Sequence, residues 1–271
     1  MKRPPSLVIF SCAIALYCLV PFLWFVMTSL KSPADVAAIP PKLITSWHWG
    51  FYQSALAQYH LLNYLVNSVI IALPTMLITV AFGALAAYAI SRFQLRWTEI
   101  FLLVMLAVSM FPQIAIAGPI WTLLNRLGWL NSYAGLITVY VALNLPLAIW
   151  ILTTFFRDVP AEVEEAALVD GCSRFQALFK VVLPIAAPGI FTSALLVFTA
   201  AWNEFFFALI IMTDPAVQTL PVGIALFPGE YTMPWGEIAA ASTVATIPLV
   251  LLTLIFQRGI VRGLSAGAVK G

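Results

Sequence analysis

Trp202, Asn203 and Glu204 stand side by side in an apolar run from Val181 to Thr213 that holds no other acid. A charged group at the centre of a lipid-crossing helix costs about 2.5–3.5 kcal/mol on insertion scales, so Glu204 needs a partner, a wet cavity or a proton. An indole face, an amide and a carboxylate are also the groups that hold a polyhydroxylated solute. The ring stacks on the solute's apolar face while the amide and carboxylate bond its hydroxyls. Asn144, two residues before Pro146, offers a second amide of the same kind. Ties between helices, or a gate along a path, account for both sets at least as well as direct contact with a solute.

The second concentration of chemistry is Arg157 to Pro184, RDVPAEVEEAALVDGCSRFQALFKVVLP. It reads as two short helices broken at Gly171. Asp158 can cap the first, Pro160 fits its first turn, and Glu162, Glu164 and Glu165 complement the positive end of its dipole. Ala161, Ala166 and Ala167 are small enough to let another backbone approach. Ser173 can cap the second helix, which places Phe175, Leu178, Phe179 and Val182 on one side. A helix lying on lipid headgroups is one reading of this segment. Four acids between Asp158 and Glu165 would repel an anionic leaflet, and a basic protein surface complements them better.

Other chemistries find no purchase. His48 and His60 share an outer segment with no paired carboxylate or cysteine, so neither a metal site nor a nucleophile constellation forms. No G-x4-GK[ST] phosphate loop is present, because the one lysine near a late glycine is Lys270. Cys12, Cys18 and Cys172 make no disulfide framework. A net charge of +2, scattered along the chain, excludes binding to nucleic acid through phosphate neutralisation.

The elements that carry these residues follow from composition. With 62% apolar and 9% charged residues and a mean hydropathy of +1.00, the chain is an integral membrane protein rather than a soluble domain. Charge-free runs long enough for a bilayer predict six helices near 7–30, 64–90, 98–117, 132–156, 185–212 and 238–257. Pro112 and the pair Gly118-Pro119 predict a kink in the third and its end. No strand alternation suggests a barrel. Lys2 and Arg3 precede the first run, whose apolar length exceeds a signal core, so it reads as a retained helix. Ten of the thirteen basic residues fall in inner segments when both termini are cytoplasmic; Lys31, Lys42 and Arg126 are the outer three. The outer segment 31–60 carries Trp47, Trp49, Phe51, Tyr52 and Tyr59, which suit the headgroup layer. The other outer segment, 214–236, is rich in proline and suits a partner docking from outside. Gly83, Ala84, Ala86 and Ala87 read as close-packing residues.

Glu165-Ala166-Ala167, Gly171 four residues later, and Val181-x-Leu183-Pro184 match the pattern EAA-x3-G-x9-I-x-LP, with Val181 in place of Ile. That loop marks the membrane subunits of binding-protein-dependent ABC importers. Asn67-Ser68, Ala87-Tyr88-Ala89 with Arg92, Leu145-Pro146, Trp202-Asn203-Glu204 and the tail Gly263–Gly271 extend the likeness. The chain resembles the permeases of maltose- and trehalose-type sugar importers over most of its length.

The resemblance implies an all-α, polytopic membrane protein of the type I ABC importer permease fold, one transmembrane domain over 1–271. It implies that the cytoplasmic loop 157–184 is a coupling element seated in a cleft of an ATPase subunit. Glu165 would pair with a basic residue there, flanked by Glu162 and Asp170. Ala166 and Ala167 would permit close seating and Gly171 the turn. The cytoplasmic tail 258–271 would reach along the ATPase dimer. The implied partners are a second permease, two ATP-binding subunits that hold ATP and Mg, an extracytoplasmic solute-binding protein, and the bilayer of the cell inner membrane. The chain itself carries no cofactor and catalyses no reaction. A stand-alone secondary transporter using Glu204 for ion coupling is the competing reading; it predicts further intramembrane ionisable groups and an internal repeat.

Overall fold

The computed structural model describes residues 5–42, 47–93, 96–227 and 233–268, and among these there is no strand. The chain runs α1 (Pro5–Ser29), α2 (Pro33–Val36), α3 (Gly50–Ala57), α4 (Leu61–Arg92), α5 (Thr98–Ser109), α6 (Gln113–Leu127), α7 (Tyr133–Arg157) and α8 (Ala161–Val169). It continues as α9 (Arg174–Ala177), a π-helical turn over Leu178–Val182, α10 (Leu183–Ile185), α11 (Ala187–Asn203), α12 (Phe206–Ile211), α13 (Leu220–Ala225) and α14 (Trp235–Ala268). With no water in hydrocarbon to satisfy them, backbone groups must bond within the segment, and helices do so.

Among the described residues, four helices are long and apolar enough to cross a membrane: Ser6–Ser29, Leu61–Arg92, Tyr133–Arg157 and Trp235–Gln257. Two bent pairs make the number six if each pair is one crossing: α5 with α6 at 87°, and Arg174–Ile185 with α11 at 80°. The bend between α5 and α6 falls just before Pro112, where the sequence places a kink. The helix expected to stop near 117 instead continues to Leu127. Pro119 withdraws one N–H from α6 without ending it, and the stop is Gly128, whose φ of 68° closes the helix in the left-handed region. The helix expected over 185–212 is broken at Glu204. Helix α14 runs past the boundary expected at 257 to Ala268, and residues 269–271 of the expected tail lie outside the described residues.

The chain forms two compact units. One comprises Met1–Leu65 with Leu220–Pro248. Here Tyr59 stacks on Phe227 at 4.4 Å between centroids. The Lys31 ammonium, 3% exposed, sits 4.4 Å over the Trp24 ring. The other unit comprises Val66–Thr219 with Leu249–Gly271. Its core joins Ala84, Ala87 and Tyr88 of α4, Leu152 and Phe156 of α7, Val159, and Leu178, Val182 and Ala186. Gly83 serves close packing: a Cβ there would lie 3.3 Å from Leu152 Cδ1 and 3.4 Å from Ala148 Cβ.

Helices α7 and α11 meet at Gly189, where an added Cβ would lie 2.3 Å from Phe155 Cγ and 2.6 Å from its Cβ. Those atoms are at the root of the side chain and cannot swing away. Gly189→Ala is therefore expected to cost about 1–3 kcal/mol through overpacking, read as a lower thermal midpoint of the detergent-solubilised chain.

Candidate functional site

The acidic segment is held by one of its own acids. Glu164, 4% exposed, turns inward from α8. Its Oε2 accepts a hydrogen bond from Arg92 Nε at 2.6 Å, and its Oε1 accepts one from the Tyr88 hydroxyl at 2.5 Å. Arg92 Nη2 donates to the Val159 carbonyl at 3.1 Å. Tyr88 and Arg92 are one helical turn apart on α4, so both reach the same carboxylate. The sequence reading gave Glu164 only a dipole role. The readable signal was a tyrosine and an arginine, spaced four apart, at the C-terminal end of an apolar helix.

With Glu164 turned in, Glu162, Glu165, Ala166, Asp170 and Gly171 are exposed and Ala167 is half-buried. Apart from Ala167, the sequence-predicted coupling residues are thus all exposed, on α8 and in the turn that follows it. Asp158 does not cap α8: it lies at the end of α7, and Pro160 occupies the position before α8 without a side-chain bond. Proline's fixed φ suits the helix entry, and its missing N–H costs nothing there. Helix α8 ends as the sequence implies. The Cys172 N–H bonds the Ala167 carbonyl at 3.0 Å and the Gly171 N–H bonds that of Leu168 at 3.1 Å, a Schellman closure. Gly171 has φ 88° with nothing within 4 Å of a Cβ, so glycine is required there by backbone conformation rather than by space.

Ser173 caps α9 through a reciprocal pair of bonds with Gln176. The apolar face expected beyond it divides. Leu178 and Val182 are buried, whereas Phe175 and Phe179 are 64% and 51% exposed and pack on each other at 4.6 Å. The π-helical turn accounts for the division, because the wider turn rotates neighbouring positions away from the α-helical register.

At the second cluster, Glu204 adopts an extended conformation between α11 and α12 (φ −67°, ψ 127°). Its Oε1 accepts the Phe207 N–H at 2.9 Å; its Oε2 accepts the Ala208 N–H at 3.1 Å and the Tyr140 hydroxyl at 2.6 Å. The carboxylate replaces the carbonyls that a continuous helix would offer, which is how a break without Gly or Pro exists in an apolar run. Glu204 and Asn144 line one cavity of about 140 Å³ with Ser109, Gln113 and Tyr140. Asn144 Nδ2 donates to the Tyr140 carbonyl at 2.8 Å. Trp202 and Asn203 do not join them. Trp202 is 3% exposed and stacks on Phe198, and Asn203 is exposed with its amide on the Thr199 carbonyl. Among the described residues no three His, Cys, Asp or Glu side chains gather as a metal site.

A multi-pass helical membrane protein with an acidic hinge locked to the ends of two long apolar helices, α4 and α7, has the architecture of a transporter's membrane component. Residues 79–266 match the family described as binding-protein-dependent transport system inner membrane component, and the chain belongs to that family. It is 43% identical to the trehalose/maltose transport system permease protein MalG of Thermococcus litoralis, over 98% of this chain and 96% of the relative. It is 40% identical to the sulfoquinovosyl glycerol transport system permease protein SmoH of Agrobacterium fabrum, covering 93% and 89%. The trehalose transport system permease protein SugB of Mycobacterium tuberculosis is also 40% identical, covering 94% and 93%. The fold matches a chain in the crystal structure of a bacterial ABC transporter involved in the import of the acidic polysaccharide alginate. The TM-score is 0.76 at 22% identity, over 95% of this chain and 99% of that one. The fold is that of a type I importer permease, with four to six apolar crossings and no strand among the described residues.

Removing the Glu204 carboxylate leaves two backbone N–H groups and the Tyr140 hydroxyl to find new partners. Glu204→Ala is expected to destabilise the chain by about 1–3 kcal/mol, seen as a lower thermal midpoint in detergent. Glu204→Gln, which keeps one acceptor oxygen, is expected to lower it less. Equal midpoints for the two variants would contradict the capping role.

Proposed function

We propose that this chain is the permease subunit of a binding-protein-dependent, ATP-driven importer of sugars. It moves solute by alternating access, with residues 157–184 as the seat of an ATPase subunit. The carrying observation is the division of labour in α8: Glu164 ties the helix to the membrane core while Glu162, Glu165 and Asp170 face outward. A basic surface on a partner complements that outward face, and the small side chains of Ala166 and Ala167 let it approach. The closing of two ATPase subunits on ATP and Mg then displaces the seat. The displacement becomes rigid-body rocking of the attached helices.

The sugar class rests on relatives named for trehalose, maltose and sulfoquinovosyl glycerol. The assembly proposed is this permease with a second, different one, two ATP-binding subunits and an extracytoplasmic solute-binding protein. Both termini are cytoplasmic, which is supported by the distribution of Lys and Arg. In the single-domain reading, the whole chain works as one transmembrane permease. The cavity of Glu204, Asn144 and Tyr140 is this chain's wall of the solute path; Trp202 and Asn203 flank it from the same helix. Ion coupling through Glu204 has no support: the three relatives above are named for sugars or a sugar glyceride, and the carboxylate oxygens serve as a helix cap.

Glu165→Lys places a cation where a basic partner is expected. The variant is expected to insert in the membrane normally but to lose co-purification of the ATPase subunits, with uptake falling by about tenfold or more, as for like charges brought together at an interface. Unchanged uptake would remove the coupling role.

A further inference from the structure

We propose that Tyr88, Arg92 and Glu164 are positioning residues that carry the displacement of segment 157–184 into α4 and α7, separately from any residue that touches a partner. This rests on reading that segment as the ATPase seat. Three observations carry it. Glu164 faces the interior while its neighbours Glu162 and Glu165 face outward. Both its oxygens are engaged, at 2.5 and 2.6 Å, by two side chains of a single helix. Arg92 holds the connection between α7 and α8 as well, through the Val159 carbonyl at 3.1 Å.

Stability alone gives a poor account of this arrangement. A buried ion pair loses most of its Coulomb gain to desolvation, and well-packed apolar side chains of similar volume hold two helices as firmly. Apolar neighbours are already there: Ala87, Phe156, Leu178 and Val182 are fully buried beside it. What apolar packing lacks is direction. It resists compression, but it lets surfaces slide and separate at little cost. A carboxylate with each oxygen on a separate donor fixes position along and across the helix, and it resists pulling as well as pushing. An element that must return as well as advance in each cycle needs that resistance.

The test uses the intact transporter, with both permeases, ATPase subunits and binding protein, in proteoliposomes. A single cysteine at position 200, on the wall of the Glu204 cavity, is introduced after replacing Cys12, Cys18 and Cys172 with serine. Maleimide labelling is compared with and without Mg-ATP and vanadate, beside ATP hydrolysis. Arg92→Ala and Glu164→Gln are expected to keep hydrolysing ATP while the vanadate-induced change in labelling shrinks about tenfold, the size of a typical coupling between sites. The charge-exchanged pair, Arg92→Glu with Glu164→Arg, is expected to recover part of it. A merely structural role would lower hydrolysis and labelling together and would overturn the proposal. So would a full labelling response in both single variants. If the single variants do not assemble, Arg92→Lys with Tyr88→Phe decides, since it keeps the charge pair but removes two of its directed bonds: a reduced response supports the clamp and a full one overturns it. A wild-type transporter with no vanadate response would instead overturn the alternating-access reading itself.

Discussion

The Glu164–Arg92 pair is the constraint around which the end of this protein that carries α8 is organised. It joins the end of α4 to a stretch about seventy residues later, holding both the turn after α7 and the body of α8 that follows it. Its cost is the removal of two charges from water, and its side chains are only 5% and 11% exposed. That cost is offset by complete hydrogen bonding of the carboxylate, including the Tyr88 hydroxyl, and by the small residues of α4 that let α7 pack close. Without Gly83 and Ala87, α4 could not approach α7; without that approach, Arg92 would not reach the Val159 carbonyl.

The same economy of polar groups governs the membrane interior. Every backbone N–H there must find an acceptor, so a helix that breaks needs a substitute for the carbonyls it gives up. Glu204 supplies two, and Tyr140 in turn gives the carboxylate a donor from a neighbouring helix. A costly acid thereby becomes what makes an irregular backbone affordable. The break and the bend between α5 and α6 both border the cavity that contains Asn144 and Gln113. Polar lining and departures from regular helix coincide, as expected where non-helical backbone is tolerated at membrane depth.

Much of this was legible in the residues. Long charge-free runs mark the apolar helices, the EAA pattern marks the family, and Gly171 and Ser173 take the places their chemistry suggests. Misreadings came where one local rule met a stronger one. Pro119 looked like a stop, but a proline inside a helix already under way removes one bond only, and the left-handed Gly128 ends it. Asp158 looked like a cap, but Pro160 sets the entry of α8. Glu164 was indistinguishable from Glu162 and Glu165 by type, because which of three neighbouring acids turns inward depends on the rotation of α8 against α4. Trp202, Asn203 and Glu204 are contiguous and read as a trio, yet successive helical positions diverge by about 100° and cannot face one site together. The division of Phe175 and Phe179 from Leu178 and Val182 was hidden because nothing in the sequence announces a π-helical turn.

That widened turn at Leu178–Val182 has a bearing on how segment 157–184 tolerates change in length. It accommodates one more residue than an ordinary turn, so the chain there stores a spare position. Deleting a residue at this point would let the helix relax into regular winding while the Leu183-Pro184 corner kept its place. Adding one would have to displace either the buried Leu178 and Val182 or the corner itself. Length drift in this stretch is therefore asymmetric: shortening can be absorbed where it occurs, and lengthening cannot.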